Sequence, residues 1–179
     1  MKLILETERL YARRFELTDT AFILRLLNTP GWLQFIGDRK VYNEEEAKNY
    51  LLNIPIKSYR ENGFGLCLVA LKINHEPIGM CGLIKRESLH GVDIGFAFLP
   101  EFTGKGYAFE ITAATVLYAK QNLQLPVVLA IVLRNNLKSI KLLKKIGLRF
   151  QKQITLPTDS VPVMLFSTVE VTPGLPDVS

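Results

Sequence analysis

The sequence predicts an α/β (α+β) fold, a mixed, mostly antiparallel central sheet of about seven strands flanked by helices. Three observations carry this expectation. Residues 64–72, 77–85 and 92–99 are apolar runs joined by short turns, the pattern of an antiparallel meander. Residues 92–99, the helical stretch 108–122 and the run Val127-Val128-Leu129-Ala130-Ile131-Val132-Leu133 make a strand–helix–strand unit, which implies a right-handed parallel crossover. Helical patterns before the meander, and a helix with two more strands after the crossover, supply the flanking layers and the remaining strands.

The elements follow in order. Residues 10–15 form a short strand. Thr18-Asp19 then offers an N-cap to a helix with Phe22, Ile23, Leu26 and Leu27 on one face, and Asn28-Thr29-Pro30-Gly31 stops it. Residues 32–41 read as irregular, with Gly37 and Asp38 as turn residues. Asn43 followed by Glu44, Glu45 and Glu46 is a capping box opening a second helix, which Pro55 kinks or breaks into two pieces that end before Gly63. Asn74-His75-Glu76 is a hairpin loop with His75 facing solvent, and His90 lies in the turn before Gly91.

The helix at 108–122 carries Ala108, Ile111, Ala114, Thr115 and Tyr118 at helical spacing, with Val116 and Leu117 as a second apolar patch. It is apolar nearly all round and is expected to lie against the sheet. The β-branched run at 127–133 suits a central strand covered on both faces. Asn136 caps a helix with Leu137, Ile140, Leu143 and Ile146 as its stripe, and Gly147 ends it. Strands at 149–156 and 161–170 follow, joined by a turn at 157–160. One domain therefore spans 1–171, and residues 172–179 have the composition of a frayed tail.

Composition narrows the function classes. With 179 residues and 48% hydrophobic content, the chain can bury a substantial core and is not disordered. No apolar run reaches membrane-span length and no signal-peptide core is present, so the expected location is cytoplasmic, away from the membrane. Cys67 and Cys81 sit in apolar strands and read as buried free thiols, and two cysteines with two scattered histidines make no metal site. The net charge of +5 comes from basic residues placed singly or in pairs, either a solvated surface or a rim facing an anionic cofactor. Aromatics are not interleaved with them, which argues against nucleic acid.

The chemistry-bearing stretch is Leu99-Pro100-Glu101-Phe102-Thr103-Gly104-Lys105-Gly106-Tyr107-Ala108. It joins a strand to a helix N-terminus through Gly-Lys-Gly. Glycines admit positive φ and close ligand approach, and the helix start offers unpaired N–H groups with the positive end of the dipole. Together these make a phosphate cradle to which Lys105 adds charge. A bare Gly-x-Gly equally fits an ordinary turn before a helix. The loop has no Walker pattern, and Phe109 stands where a dinucleotide fingerprint has its third glycine.

The segment from Thr103 to Ala108 resembles the acyl-CoA pyrophosphate loop of the GNAT N-acetyltransferase superfamily, with Gly106 and Ala108 at its last two fixed positions and Thr103 in place of the usual Gln or Arg. Glu8-Arg9-Leu10, Ile94-Gly95-Phe96, Asn135-Asn136 with Ser139-Ile140, and Lys145-x-Gly147 resemble the RimJ/RimL-type subgroup. The resemblance implies acetyl-CoA as co-substrate and a splayed parallel strand pair. It implies pyrophosphate on the amides of Thr103, Gly104, Lys105, Gly106, Tyr107 and Ala108, and pantetheine amides on the strand edge at Ala97, Phe98 and Leu99. It also implies Asn135 on the pantetheine arm and a homodimer. It places Ser139 near the sulfur as donor to the leaving thiolate, since Leu143 occupies the position of the tyrosine that many members have. Asn135 or Asn136 as a plain cap, with Ser139 an ordinary first-turn residue, is the competing reading.

For the general base, Asp93 is preferred over Glu101 and Glu110, with water-mediated proton removal as the alternative. The expected activity is acetyl transfer to a primary amine, either a protein N-terminus or a small molecule, directly within a ternary complex. The alternatives are a non-catalytic acyl-CoA sensor and another kind of nucleotide-binding protein. A closed pocket lined by Trp32, Phe35 and Tyr59 would favour a small amine over a peptide.

Overall fold

The computed structural model describes residues 2–157 and 161–169. Eight strands form one sheet: β1 (Leu3–Glu6), β2 (Leu10–Arg14), β3 (Leu66–Leu71), β4 (Pro77–Lys85), β5 (Val92–Phe98), β6 (Val128–Leu133), β7 (Arg149–Ile154) and β8 (Val163–Ser167). Their spatial order is β1-β2-β3-β4-β5-β6-β8-β7. Every pairing is antiparallel except β5 with β6. The helices are α1 (Thr20–Leu27), α2 (Pro30–Phe35), α3 (Glu44–Leu51), α4 (Lys57–Glu61), α5 (Tyr107–Gln121) and α6 (Leu137–Lys145).

The period-2 alternation of the strands divides the core between two faces. On one face, Val69, Cys81, Ile94, Val128, Ala130 and Val132 pack under Ile111, Val116 and Ala119 of α5 and Leu143 of α6. On the other, Leu68, Ala70 and Met80 pack under Ile23, Leu26 and Leu27 of α1 and Ala47 and Leu51 of α3. A third, smaller group on β6 and β8 joins Leu129, Ile131 and Leu133 to Leu89, Leu156 and Val163.

The parallel pair is splayed. Only Val92↔Val128 and Asp93↔Leu129 pair across β5 and β6, at the N-terminal ends of both strands. Beyond them the strands part, and the gap opens toward the starts of α5 and α6.

Several expectations are corrected. Residues 3–6 add an eighth strand; it forms because it pairs with β2, with Leu5 opposite Ala12. Thr29-Pro30 ends α1 but also starts α2, because the Thr29 hydroxyl caps the Trp32 amide and Pro30 sits in the first turn, where no amide hydrogen is needed. The break expected at Pro55 takes the form of a π-helical turn, Leu52–Ile56, which divides α3 from α4, accommodates the missing donor and leaves the second piece ending at Glu61, before Gly63. Helix α5 buries one face only, leaving Leu117 exposed. Trp32 and Tyr59 are core side chains. The Trp32 indole donates to Gly37 O at 3.0 Å, and the Tyr59 hydroxyl accepts from the Phe15 amide and donates to Leu66 O. Gly147 does close α6 with φ +90°, and Cys67 and Cys81 are buried and free. The 172–179 tail lies outside the described residues, as do most of the 157–160 turn and residue 170 of the last predicted strand.

Gly82 shows how tightly β3 and β4 are packed against each other. A Cβ there would lie 2.3 Å from Gly65 O and 2.7 Å from Leu66 Cα, backbone atoms of the neighbouring strand that cannot swing aside. Gly82→Ala is expected to lower stability by roughly 2–3 kcal/mol, the cost of overpacking a close strand pair. Urea unfolding checks this; a change below half a kcal/mol would show that β3 and β4 can separate at that point.

Candidate active site

The open end of the gap is lined by main chain. Leu99 donates its amide to Ile78 O at 2.9 Å, and Ala97 sits opposite Met80 in the same register. Hydrogen-bonding direction alternates along a strand. Ala97 and Leu99 therefore spend their amides on β4, and Phe98 turns its N–H and C=O toward the gap. The expectation that all three face the gap narrows to Phe98. Leu99 is fully buried, whereas Ala97 and Phe98 are half-buried.

The chain then makes a 3₁₀ turn (Pro100–Phe102) and enters the glycine loop. Thr103 spends its amide on Pro100 O at 3.1 Å, which removes it from the expected anion-binding set. Gly104 and Gly106 take φ +78° and +83°, values that L side chains adopt only with strain. Gly106 is the N-cap of α5 and brings no capping side chain. As a result, the amides of Gly104, Lys105, Gly106, Tyr107, Ala108 and Phe109 have no acceptor among the described residues. Such a run at the positive end of a four-turn helix is an anion site. Phe109 extends the set beyond the residues singled out from the sequence. Lys105 lies over the Phe102 ring, Nζ 5.2 Å from its centroid, and holds positive charge beside the loop.

Arg9 holds the loop in place. Its Nη1 donates to Lys105 O at 3.2 Å, its Nε donates to Glu110 Oε2 at 2.7 Å, and its guanidinium covers the Tyr107 ring at 4.6 Å. The Arg9 amide and the Thr7 hydroxyl both donate to Glu110 Oε1. Partial burial works against the Glu110 charge, but these donors outweigh it and hold the carboxyl below its ordinary value. Glu110 therefore ties the β1–β2 turn to α5. Glu101 at the loop entrance is paired with Arg25.

At the start of α6, Asn136 caps through its side chain, accepting the Ser139 amide at 3.2 Å. The cap is thus Asn136. Asn135 is exposed, and neither its side chain nor the Ser139 hydroxyl has a hydrogen-bond partner among the described residues. Leu143 lies one turn on from Ser139 and is buried in the core, so Ser139 occupies the sheet-facing side of the helix at the mouth of the gap.

Asp93 sits at the vertex of the gap and is 1% exposed. Its two oxygens receive Arg86 Nε at 3.0 and 3.2 Å. Burial pushes its carboxyl above the ordinary value, and the Arg86 charge and hydrogen bond limit the rise. Asp93 shares a face with its partner Leu129, the face that also carries α1, α3 and the small β6–β8 core. The glycine loop and Ser139 meet the gap from its open end, and Asp93 closes it at the other. His75 is exposed in its hairpin loop, its ring beside Tyr11, and His90 is exposed. No helix among the described residues is long and apolar enough to cross a membrane.

A family model described as the acetyltransferase (GNAT) domain matches residues 9–149. The N-acetyltransferase YnaD of Bacillus subtilis, itself described as uncharacterized, is 27% identical over 143 residues, 80% of this chain and 81% of its own. The crystal structure of an acetyltransferase from Agrobacterium tumefaciens superposes with a TM-score of 0.78 at 21% identity, over 93% of this chain and 94% of that one. RimL, a ribosomal α-N-protein acetyltransferase solved in complex with coenzyme A, superposes with a TM-score of 0.71 at 14% identity, over 94% of this chain and 98% of its own.

Proposed function

The chain belongs to the GNAT acetyltransferase family, and from that premise we propose that it moves an acetyl group from acetyl-CoA to the primary amine of a protein N-terminus or a small molecule, directly, with both substrates bound at once. The observation that carries this reading is the run of unpaired amides from Gly104 to Phe109 opening onto the splayed β5–β6 gap. Six donors at one helix start suit a pyrophosphate. Phe98 offers one N–H and one C=O to an amide-bearing arm lying along β5, and Asn135 stands at the mouth to bond the same arm.

Acetyl-CoA supplies the activated thioester. The chain's own part is to bind, orient and move protons. Holding two substrates in line can lower a barrier by about 7–11 kcal/mol, so few catalytic side chains are needed. Ser139, with an uncommitted hydroxyl at the mouth of the gap, delivers a proton to the departing thiolate. Asp93 is the carboxylate nearest the vertex, but both its oxygens are engaged by Arg86 Nε. Its role is therefore to position Arg86, and the amine gives its proton to water.

Thiol release from acetyl-CoA, measured over a panel of primary amines, tests this. Amine-dependent release is expected, and Ser139→Ala should lower kcat by about a hundredfold, the scale of a lost proton donor. Acetyl-CoA binding without release above background for any amine would leave the protein an acyl-CoA sensor.

A further inference from the structure

Charge is unevenly placed along the chain. Residues 1–110 hold fourteen Lys and Arg against fourteen Asp and Glu, whereas residues 111–157 hold eight Lys and Arg and no acid. Four of those eight, Lys138, Lys141, Lys144 and Lys145, stand on α6, and all four are exposed. None has an acidic partner among the described residues, while Arg9, Arg13, Arg25 and Arg86 each have one. Helix stability does not account for the four. Lys141 is three or four residues from each of the others, a spacing at which like charges repel. Lys138 lies in the first turn, at the positive end of the dipole, where a cation is disfavoured.

One of the four touches the glycine loop. Lys145 Nζ sits 4.2 Å from the centre of the Phe109 ring, a cation–π contact that holds the ammonium over the first turn of α5. The Phe109 amide is the last of the six open donors of the loop. Lys141 lies one turn before Lys145 on the same face of α6. The direction of the chain decides which part of a ligand arrives here. The loop is entered from β5 at the Gly104 end and left into α5 at the Phe109 end. An arm laid along β5 meets the Gly104 end first, so the part beyond the pyrophosphate leaves past Phe109 and Lys145. In coenzyme A that part is an adenosine bearing a 3′-phosphate. Ammonium groups with no acid beside them suit such a phosphate as point charges.

We propose that Lys145, supported by Lys141, binds the 3′-phosphate of coenzyme A, so that the protein selects donors carrying that phosphate over their dephospho forms. This rests on the acyl-CoA site of the acetyltransferase reading and deepens it, because it names the form of donor that the site takes. The acid-free α6 also draws an anion toward the loop, and that attraction weakens as salt is added.

Calorimetry on the whole protein tests this by comparing coenzyme A with dephospho-coenzyme A, which keeps the pyrophosphate and the pantetheine arm and lacks only the 3′-phosphate. Coenzyme A is expected to bind at least about tenfold more tightly, the scale of one charge-assisted contact. Lys145→Gln should bring that ratio toward one by weakening coenzyme A while leaving dephospho-coenzyme A as it was. Lys145→Arg should keep most of the preference, and Lys141→Gln should lose part of it. Lys120→Gln, at the far end of α5, removes the same charge and should leave the ratio unchanged. Added salt should narrow the ratio in the parent protein more than in Lys145→Gln. Equal affinities in the parent, or an undiminished ratio with both lysines replaced by Gln, overturn the phosphate site while leaving the acyl-CoA site standing. Binding of neither compound overturns both. A tenfold preference that Lys145→Gln removes, with no amine-dependent thiol release from acetyl-CoA, supports the phosphate site while removing the transferase reading.

Discussion

Gly106→Trp is expected to abolish acetyl-CoA binding while leaving the fold intact. Gly106 holds φ +83° at the N-cap of α5, and a Cβ there would already lie 3.3 Å from Arg9 Nη2. A side chain at this point strains the backbone by about 1–2 kcal/mol. An indole would also cover the amides on either side of it and push aside the arginine that holds Lys105 O. In the parent protein, acetyl-CoA at a hundred times Kd should stabilise the native state by about 2.7 kcal/mol, which is roughly 5–10 °C in Tm for a chain of this size. In the variant that shift should vanish, and thiol release should fall to background. Because the strain is small against the whole fold, the unliganded variant should still melt cooperatively. A shift retained in Gly106→Trp would move the cofactor away from the glycine loop.

The second large effect concerns Arg86. Removing one partner of a buried ion pair leaves the other charge uncompensated, at a cost of roughly 3–5 kcal/mol. Arg86 is partly exposed, so water screens some of this, and Arg86→Met is expected to cost roughly 2–3 kcal/mol at neutral pH. The sign of the pH dependence follows from Asp93. Burial already raises its carboxyl above the ordinary value, and losing the Arg86 charge raises it further. A carboxyl raised on folding stabilises the native state below its unfolded value, and this stability is lost as pH rises through the folded value. The variant should therefore be near parental in stability at about pH 4 and fall behind progressively toward neutrality. Urea unfolding at both pH values checks this. Equal losses at the two values would mean that packing, not charge, is what Arg86 contributes. Replacing both partners with apolar residues, Arg86→Met with Asp93→Leu, should recover part of the loss, since no charge is then buried alone.

What could be read in the sequence was what local chemistry decides. The glycine loop, the Asn43 and Asn136 caps and the Gly147 stop each depend on a few neighbouring residues, and each stands where it was expected. Strand β1 was missed because four residues, Leu3–Glu6, carry too little pattern; only pairing with β2 makes them a strand. Thr29-Pro30 was read as a stop when it is both a stop and a start, since the same residues end one helix and cap the next. Pro55 was read rightly as dividing the helix, because its cost in an α-helix is large, but the π turn that joins the two pieces depends on packing that local sequence does not show.

In the site, the glycine spacing pointed to the loop and the family resemblance to Ser139, yet neither could show which amides are spent. Thr103 and Leu99 looked available and are bonded to Pro100 and Ile78. The Arg9–Glu110 tether joins residues distant in sequence, and the Arg86–Asp93 ion pair spans the turn between two strands. One local clue existed for the latter. Lys85 and Val92 close the β4–β5 hairpin, so Arg86 and Asp93, their immediate neighbours, had to lie near each other.

The central claim is that the amides from Gly104 to Phe109 and the splayed strands form an acyl-CoA site. Thermal unfolding of the protein with acetyl-CoA, and separately with ATP and NAD, tests it most directly. The account predicts a concentration-dependent rise in Tm with acetyl-CoA and little or none with the other two. No rise at saturating acetyl-CoA, or an equal rise with ATP or NAD, would contradict it.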